Sequence, residues 1–230
     1  MAVPESKFDF YIIKDSRNLS CNSIIMGIDE AGRGPVLGPL VICGFVTCAL
    51  NVLRFLEMGL KDSKELTPHQ RERIYLQLLR LPAIILVAEI WPRTIDNWIE
   101  SGKSLNELEA YIASYLIKEA YSRCKKIRYV FIDAPSTSES YERYLHKYLV
   151  LNKIALFVEE KADKTRLIVS AASVIAKYIR DARIREISKR LGINVGSGYP
   201  SDPHTRRVLG LLLERYPEFV RKSWKTIKKL

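Results

Sequence analysis

Twice along this chain a largely apolar run is closed by a carboxylate, and that repetition constrains the fold more than any other feature. Ile24 to Ile28 ends in Asp29-Glu30, and Ile127 to Ile132 ends in Asp133. Side chains alternate along a strand, so Asp29 and Glu30 point to opposite faces of a sheet, and one of them is aimed at a core unless the chain turns there. A buried carboxylate is tolerated only when it is paired or bound to a metal. If the two strands are parallel neighbours, Asp29 and Asp133 come close together. Gly32 and Gly34, just beyond the acidic pair, let the backbone turn sharply and approach a ligand closely.

The remaining elements fit around these two strands. Leu40 to Cys48 reads as a strand antiparallel to the first, with Gly44 marking a bulge or a close backbone approach. Thr67-Pro68-His69-Gln70 opens a helix, with Thr67 as N-cap, Pro68 in the first turn and Gln70 closing a capping box. Its inward stripe is Ile74, Leu78 and Leu81. Ala83 to Trp91 is a strand stopped by Pro92. Ser104 and Glu107 start another helix, carried on by Leu108, Ile112, Tyr115 and Leu116. Tyr141, Tyr144, Leu145, Tyr148 and Leu149 mark a third helix, and Ile154 to Glu159 a fifth strand. From Ser170 the chain is helix and loop, with a stop at Gly192, a glycine- and proline-rich loop over 196–203, and a short helix from Thr205 to about Tyr216. This order predicts an α/β fold with a mixed five-stranded sheet flanked by helices and a helical C-terminal part. Residues 1–23 are an extension with room for one added strand, 24–192 the main domain, and 193–230 a basic C-terminal segment. In such a sheet ligands collect where strand ends meet.

Charge is unevenly spread. Residues 161–230 hold 17 Lys+Arg against 6 Asp+Glu, which is the whole of the +11 net charge. A balanced body with a basic last third suits a polyanion held against one side. The longest apolar run, Ala83 to Ala88, is too short to span a bilayer, and no signal peptide opens the chain, so a cytoplasmic protein is expected. The four cysteines form no Cys-x-x-Cys pair and only three histidines are present, which argues against zinc. Reduced, buried thiols are the expectation for a chain of this size.

Asp29, Glu30, Asp133 and Asp163, the last in Lys161-Ala162-Asp163-Lys164, sit at strand ends or just past them. Clustered carboxylates repel one another without a cation. Oxygen-only ligands favour Mg²⁺ or Mn²⁺, and two such ions roughly 4 Å apart suit in-line attack of water on a phosphodiester. Acidic strand ends call for a cation and the basic third for an anion, a combination that a metal-dependent nuclease supplies.

Gly27-Ile28-Asp29-Glu30-Ala31-Gly32-Arg33-Gly34-Pro35 resembles the signature of the type 2 ribonucleases H, specifically ribonuclease HII. Further blocks match in order: Lys61-Asp62-Ser63-Lys64, Leu105-Asn106, Ile132-Asp133-Ala134, Lys161-Ala162-Asp163, Ser170-Ala171-Ala172-Ser173, Gly196 to Pro203, and Ser223-Trp224-Lys225-Thr226. Together they run from about residue 25 to 226, and the Gly-Tyr-Pro-Ser-Asp-Pro block is most similar to archaeal members. The resemblance implies a ribonuclease H-like sheet, endonucleolytic cleavage of RNA paired to DNA, and incision at single ribonucleotides embedded in duplex DNA. It implies that Asp29 and Asp133 bind or bridge the metals, that Glu30 completes the site, and that Asp163 holds a second metal or helps product leave. It makes the Gly32-Arg33-Gly34 backbone a reader of the ribose 2′-OH, the group that separates RNA from DNA. Tyr199 would lie near that hydroxyl and pack on the adjoining sugar. Lys64, Ser170 and Ser173 are candidates for phosphate contacts. A monomer is expected. A sliding-clamp partner for the tail stays open, with Trp224 and the basic end at hand but no clear clamp-binding motif. Ribonuclease HIII is a rival enzyme reading, and a non-catalytic binding protein on the same fold is another.

Overall fold

The structure is a computed structural model that describes residues 8–16, 19, 21, 23–60, 66–150 and 153–229. The connector holding Lys64 lies outside the described residues. The strands are β1 (Asp9–Asp15), β2 (Ile24–Ala31), β3 (Leu40–Cys48), β4 (Ala83–Ile90), β5 (Ile127–Ala134) and β6 (Ala155–Glu160). The helices are α1 (Val52–Glu57), α2 (Pro68–Leu78), α3 (Pro92–Glu100), α4 (Leu105–Arg123), α5 (Ser138–Tyr148), α6 (Ala162–Thr165), α7 (Leu167–Leu191) and α8 (Pro203–Arg215).

The six strands make one mixed sheet in the order β1-β4-β3-β2-β5-β6. The expected count of five is corrected to six, because the extension supplies β1 as an edge strand antiparallel to β4. No periodicity betrays β1: its residues are only half-buried, so its sequence need not alternate cleanly. β2 pairs antiparallel with β3 and parallel with β5, and β5 parallel with β6. The ends of β2, β5 and β6 that carry Asp29, Asp133 and Glu159 therefore lie side by side.

Local sequence accounts for most element ends. Thr67 caps α2 through a complete capping box with Gln70. Ser104 caps α4 by accepting from the Glu107 N–H, while the Glu107 carboxylate turns away to Lys147 and Tyr148. Gly192 ends α7 in the left-handed conformation, at φ 65°.

Each face of the sheet buries a core. Ile24, Met26 and Ile28 of β2 join α4 and α5 on one side. Ile25 and Ala31 face α7 on the other, with α1 and α2 outside it. A Cβ on Gly27 would lie 2.2 Å from the Ile168 carbonyl oxygen, so α7 rests directly on the β2 backbone. Gly44 is likewise a close approach rather than a bulge, with Met26 filling the space a side chain would need. A third cluster ties the C-terminal segment to the body through Val36, Leu37, Ile187, Leu212 and Phe219, and Leu37 bridges to Val220. Among the described residues no helix is long and apolar enough to cross a membrane.

The cysteine expectation is corrected in part. Cys43 and Cys124 are free and buried, but Cys21 and Cys48 form a disulfide. Cys48 pairs with Ile24 in the β2–β3 ladder, which brings it beside the chain entering β2 and within reach of Cys21.

Candidate active site

β2 divides its two acids as alternation requires. Asp29, 4 % exposed, faces α7; Glu30, half-buried, faces the α4 side near Glu109 and Tyr141. Parallel pairing of β2 with β5 brings Asp133 onto the Asp29 face. Past β6, Lys161 takes the left-handed conformation at φ 58°, the one described non-glycine residue to do so. That strained turn starts α6 and swings Asp163 inward, where it is 2 % exposed. One carboxylate oxygen from each of Asp29, Asp133 and Asp163 lies within 4.8 Å of the others.

Neighbouring groups hold these acids in place. The Ala162 N–H donates to Asp133 Oδ1 at 2.6 Å, and the Glu30 N–H to Asp29 Oδ1 at 2.7 Å. Ser173, fully buried, hydrogen-bonds the Asp29 carboxyl, and Lys177 on the next turn of α7 adds positive charge. Ser170, also buried, donates to the Asp163 carbonyl. Both serines expected at the phosphates thus point their hydroxyls at the carboxylate segments.

Burial pushes the Asp29 carboxyl well up from its ordinary range, with Glu30 and Asp133 adding to the shift and Ser173 and Lys177 opposing it. Burial raises Glu30 too, reinforced by Glu109 and Asp133 and opposed by Arg33. Two adjoining carboxyls whose ionisation is this unfavourable, with Asp133 and Asp163 converging on Asp29, are a site for hard divalent cations, which replace protons on oxygen ligands. Oxygen donors without histidine or thiolate fit Mg²⁺ or Mn²⁺.

Beside the acids the chain turns through Gly32-Arg33-Gly34. Gly32 sits at φ 90°, and a Cβ there would lie 2.7 Å from the Pro39 carbonyl oxygen. Among the described residues, the N–H groups of Gly32, Arg33 and Gly34 enter none of the fold's hydrogen bonds, unlike those of Val36, Leu37 and Gly38. The Arg33 guanidinium leaves the loop for Glu109 and Asn106 on α4. The loop, Arg33 included, borders a cleft of about 350 Å³ lined also by Glu30, Lys177, Arg180 and Tyr199. Tyr199, 39 % exposed, lies over Gly34, and Arg180 stacks on its ring at 5.1 Å.

Sequence reading passed over Glu109, Lys177, Arg180 and Arg221. Glu109 had a signal, since it falls between Leu105 and Ile112 on the apolar stripe of α4, where a carboxylate needs a partner. Arg180 and Arg221 had none: in a basic stretch they look like solvated charges, yet they are 5 % and 0 % exposed.

The Ribonuclease HII family profile matches residues 26–227. The chain is 41% identical over 209 residues to a ribonuclease HII of Thermococcus onnurineus, covering 90% of this chain and 89% of that one. The solved ribonuclease H2 of Pyrococcus horikoshii is 36% identical with a TM-score of 0.73, over 90% of this chain and 96% of that one. The ribonuclease HII in the solved PCNA:RNase HII complex of Archaeoglobus fulgidus is 33% identical with a TM-score of 0.76, over 88% and 95%. With the family profile and these relatives matching over nearly the full length, this chain belongs to the ribonuclease HII family, metal-dependent endoribonucleases of the ribonuclease H fold.

Proposed function

We propose that the protein hydrolyses the RNA strand of RNA/DNA hybrids and incises 5′ to single ribonucleotides embedded in duplex DNA, using two divalent ions, Mg²⁺ or Mn²⁺. The observation that carries this reading is the meeting of Asp29, Asp133 and Asp163 within 4.8 Å beside a loop that lines the cleft and whose N–H groups enter no hydrogen bond among the described residues. Asp29, Asp133 and Asp163 would hold the ions, and Glu30 would complete the set from the opposite face of β2. When bound, such ions activate water and stabilise the departing oxygen of an in-line displacement. The residues of the chain do the rest. Ser173 and the Ala162 N–H fix the two strand-end carboxylates, while Ser170 steadies the turn that carries Asp163. The N–H groups of the Gly32–Gly34 turn read the ribose 2′-OH, and Tyr199 packs against the adjoining sugar. Lys177 and the exposed cations Lys222, Lys225 and Lys228 face phosphates, so binding weakens with salt. Lys64 keeps its sequence-based role as a phosphate contact.

The test is cleavage of a duplex with one embedded ribonucleotide against the same duplex in all-DNA form, with metal and with EDTA. Metal-dependent cutting of the first alone is the expected result; equal cutting of both would refute the specificity. A sliding clamp is proposed as a partner because a relative of 33% identity was solved with PCNA. Trp224 packs against the core and beneath Arg221, which directs that search to the exposed residues around it. Co-elution with a clamp on gel filtration tests this, and the free protein should elute as a monomer.

A further inference from the structure

Arg221 comes from the basic tail, but it is fully buried and ends on the glycine loop 188 residues earlier in the chain. Its Nε and Nη2 donate to the Gly38 carbonyl at 3.1 and 2.9 Å, and its Nη1 to the Arg33 carbonyl at 3.2 Å. Its own N–H donates to the Val36 carbonyl at 2.9 Å, and its guanidinium lies on the Trp224 ring at 5.0 Å. A buried guanidinium held by carbonyls is expensive in free energy, since carbonyl dipoles offset only part of the lost hydration. Burial and the nearby Arg180 pull it down to about 9, still a cation at neutral pH.

The geometry has a direct consequence. In a trans peptide the carbonyl and the N–H point in opposite directions, and among the described residues no peptide is cis. The Arg33 carbonyl and the Gly34 N–H belong to one peptide. Fixing that carbonyl on a cation beneath the loop turns the Gly34 N–H outward, away from Arg221. The second wall of the cleft is fixed in the same way. Arg180 donates to the Ser197 carbonyl, and the Val36 and Leu37 N–H groups both donate to the Gly198 carbonyl, joining the Gly32–Gly38 turn to the loop bearing Tyr199.

We propose that Arg221 is a positioning residue that sets the orientation of the Arg33–Gly34 peptide, and through it the enzyme's selectivity for a ribonucleotide strand. The selectivity half rests on the reading of the glycine turn given under Proposed function; the orientation half does not. Lysine's compact ammonium lacks the planar fork whose Nε and Nη2 meet one carbonyl while Nη1 meets the other, so Arg221→Lys keeps the charge and loosens the clamp.

The test compares wild type, Arg221→Lys and Leu212→Ala, the last loosening the same C-terminal packing without a bond to the loop. In ¹H–¹⁵N spectra of the ligand-free protein, Arg221→Lys should shift or broaden the Gly34 amide while leaving in place the amide of Gly59, which follows α1 and shares no bond with the tail. On substrates, its preference for a hybrid over the all-DNA duplex in binding should fall about tenfold, and kcat/KM on the hybrid about 10–100-fold. Leu212→Ala should lower Tm and leave both ratios within twofold. A folded Arg221→Lys protein with an unmoved Gly34 amide would overturn the clamp. A moved amide with unchanged hybrid preference would overturn its link to selectivity. A wild-type protein with no hybrid preference would remove the reading of the glycine turn, and the amide alone would still decide the clamp. Arg221→Gln, which buries no charge and keeps an N–H donor, serves as the alternative if the lysine variant does not fold.

Discussion

The carboxylate cluster and the glycine loop share one end of the sheet and treat buried charge in opposite ways. In the cluster, like charges face one another and burial makes their ionisation harder. In the loop, the buried charges are guanidiniums whose donors reach the protein's own carbonyls, and Arg33 finds Glu109. The first region has the oxygen donors an external cation takes, and the second is tied down by hydrogen bonds within the chain. On the proposed function, metal dependence and sugar selectivity would rest on different residues, which would make them separable by mutation.

The strongest attempt to break this division is Asp29→Asn or Asp133→Asn. Each should lower cleavage more than about a hundredfold, as loss of a group acting on transition-state charge does. Because each removes one of several repelling charges, the metal-free variants should melt no lower than wild type; a large drop in Tm in EDTA would mean the acids are structural. Wild-type cleavage by either variant would remove the metal assignment.

Saturating Mn²⁺ sharpens the contrast from the other side. At a concentration of 100 times Kd it should stabilise the wild type by about 2.7 kcal/mol, and Asp29→Asn far less. A loop variant such as Gly34→Ala should keep that stabilisation in full. The two glycines themselves should also differ. Gly32→Ala forces a side chain into positive φ and toward the Pro39 carbonyl, which should cost roughly 1–3 kcal/mol in denaturant unfolding. At Gly34 a Cβ would meet only the Tyr199 ring at 3.4 Å. Gly34→Ala should therefore fold normally, within roughly 0.5 kcal/mol of wild type, and lose hybrid cleavage.

A pH series separates the regions more gently. In EDTA the folded protein holds protons on Asp29 and Glu30 more tightly than the unfolded chain does, so their contribution to stability falls as pH rises from about 4. The Tm of Asp29→Asn minus that of wild type should grow as pH rises above about 4. With Mn²⁺ present the trend should reverse, because the ion takes the place of the proton. A difference that stays flat in EDTA would mean that the acids do not repel.

The smallest effect on activity is expected far from both regions. The Cys21–Cys48 bridge spans 27 residues at the opposite end of β2. Reduction should lower stability by up to about 3–4 kcal/mol in the chain-entropy picture, with cleavage below Tm unchanged within about twofold. A large loss of cleavage on reduction would show that the two ends of β2 communicate.

Much of this was legible without coordinates. The strands ending in carboxylates, the capping box at Thr67 and the stop at Gly192 are short-range signals, and each sits where its local pattern puts it. The family blocks mark Asn106, which the structure shows meeting the Arg33 side chain. What stayed hidden involves partners distant in sequence. β1 entered the sheet from an aperiodic extension because an edge strand needs only half-buried residues. The serines of the Ser170–Ser173 block turned toward carboxylate segments because α7 rests on Gly27, a contact made across more than 140 residues of chain.

Periodicity, caps and the placement of Asp29, Glu30, Asp133 and Asp163 at strand ends are written in neighbouring residues, since they follow from backbone sterics and hydrogen bonds a few residues long. Which acids meet, which serines hold them, and that Arg221 lies inside while its basic neighbours lie outside were decided only when apolar faces were buried against one another. A charged side chain carries no local mark of whether solvent or two distant carbonyls will satisfy it.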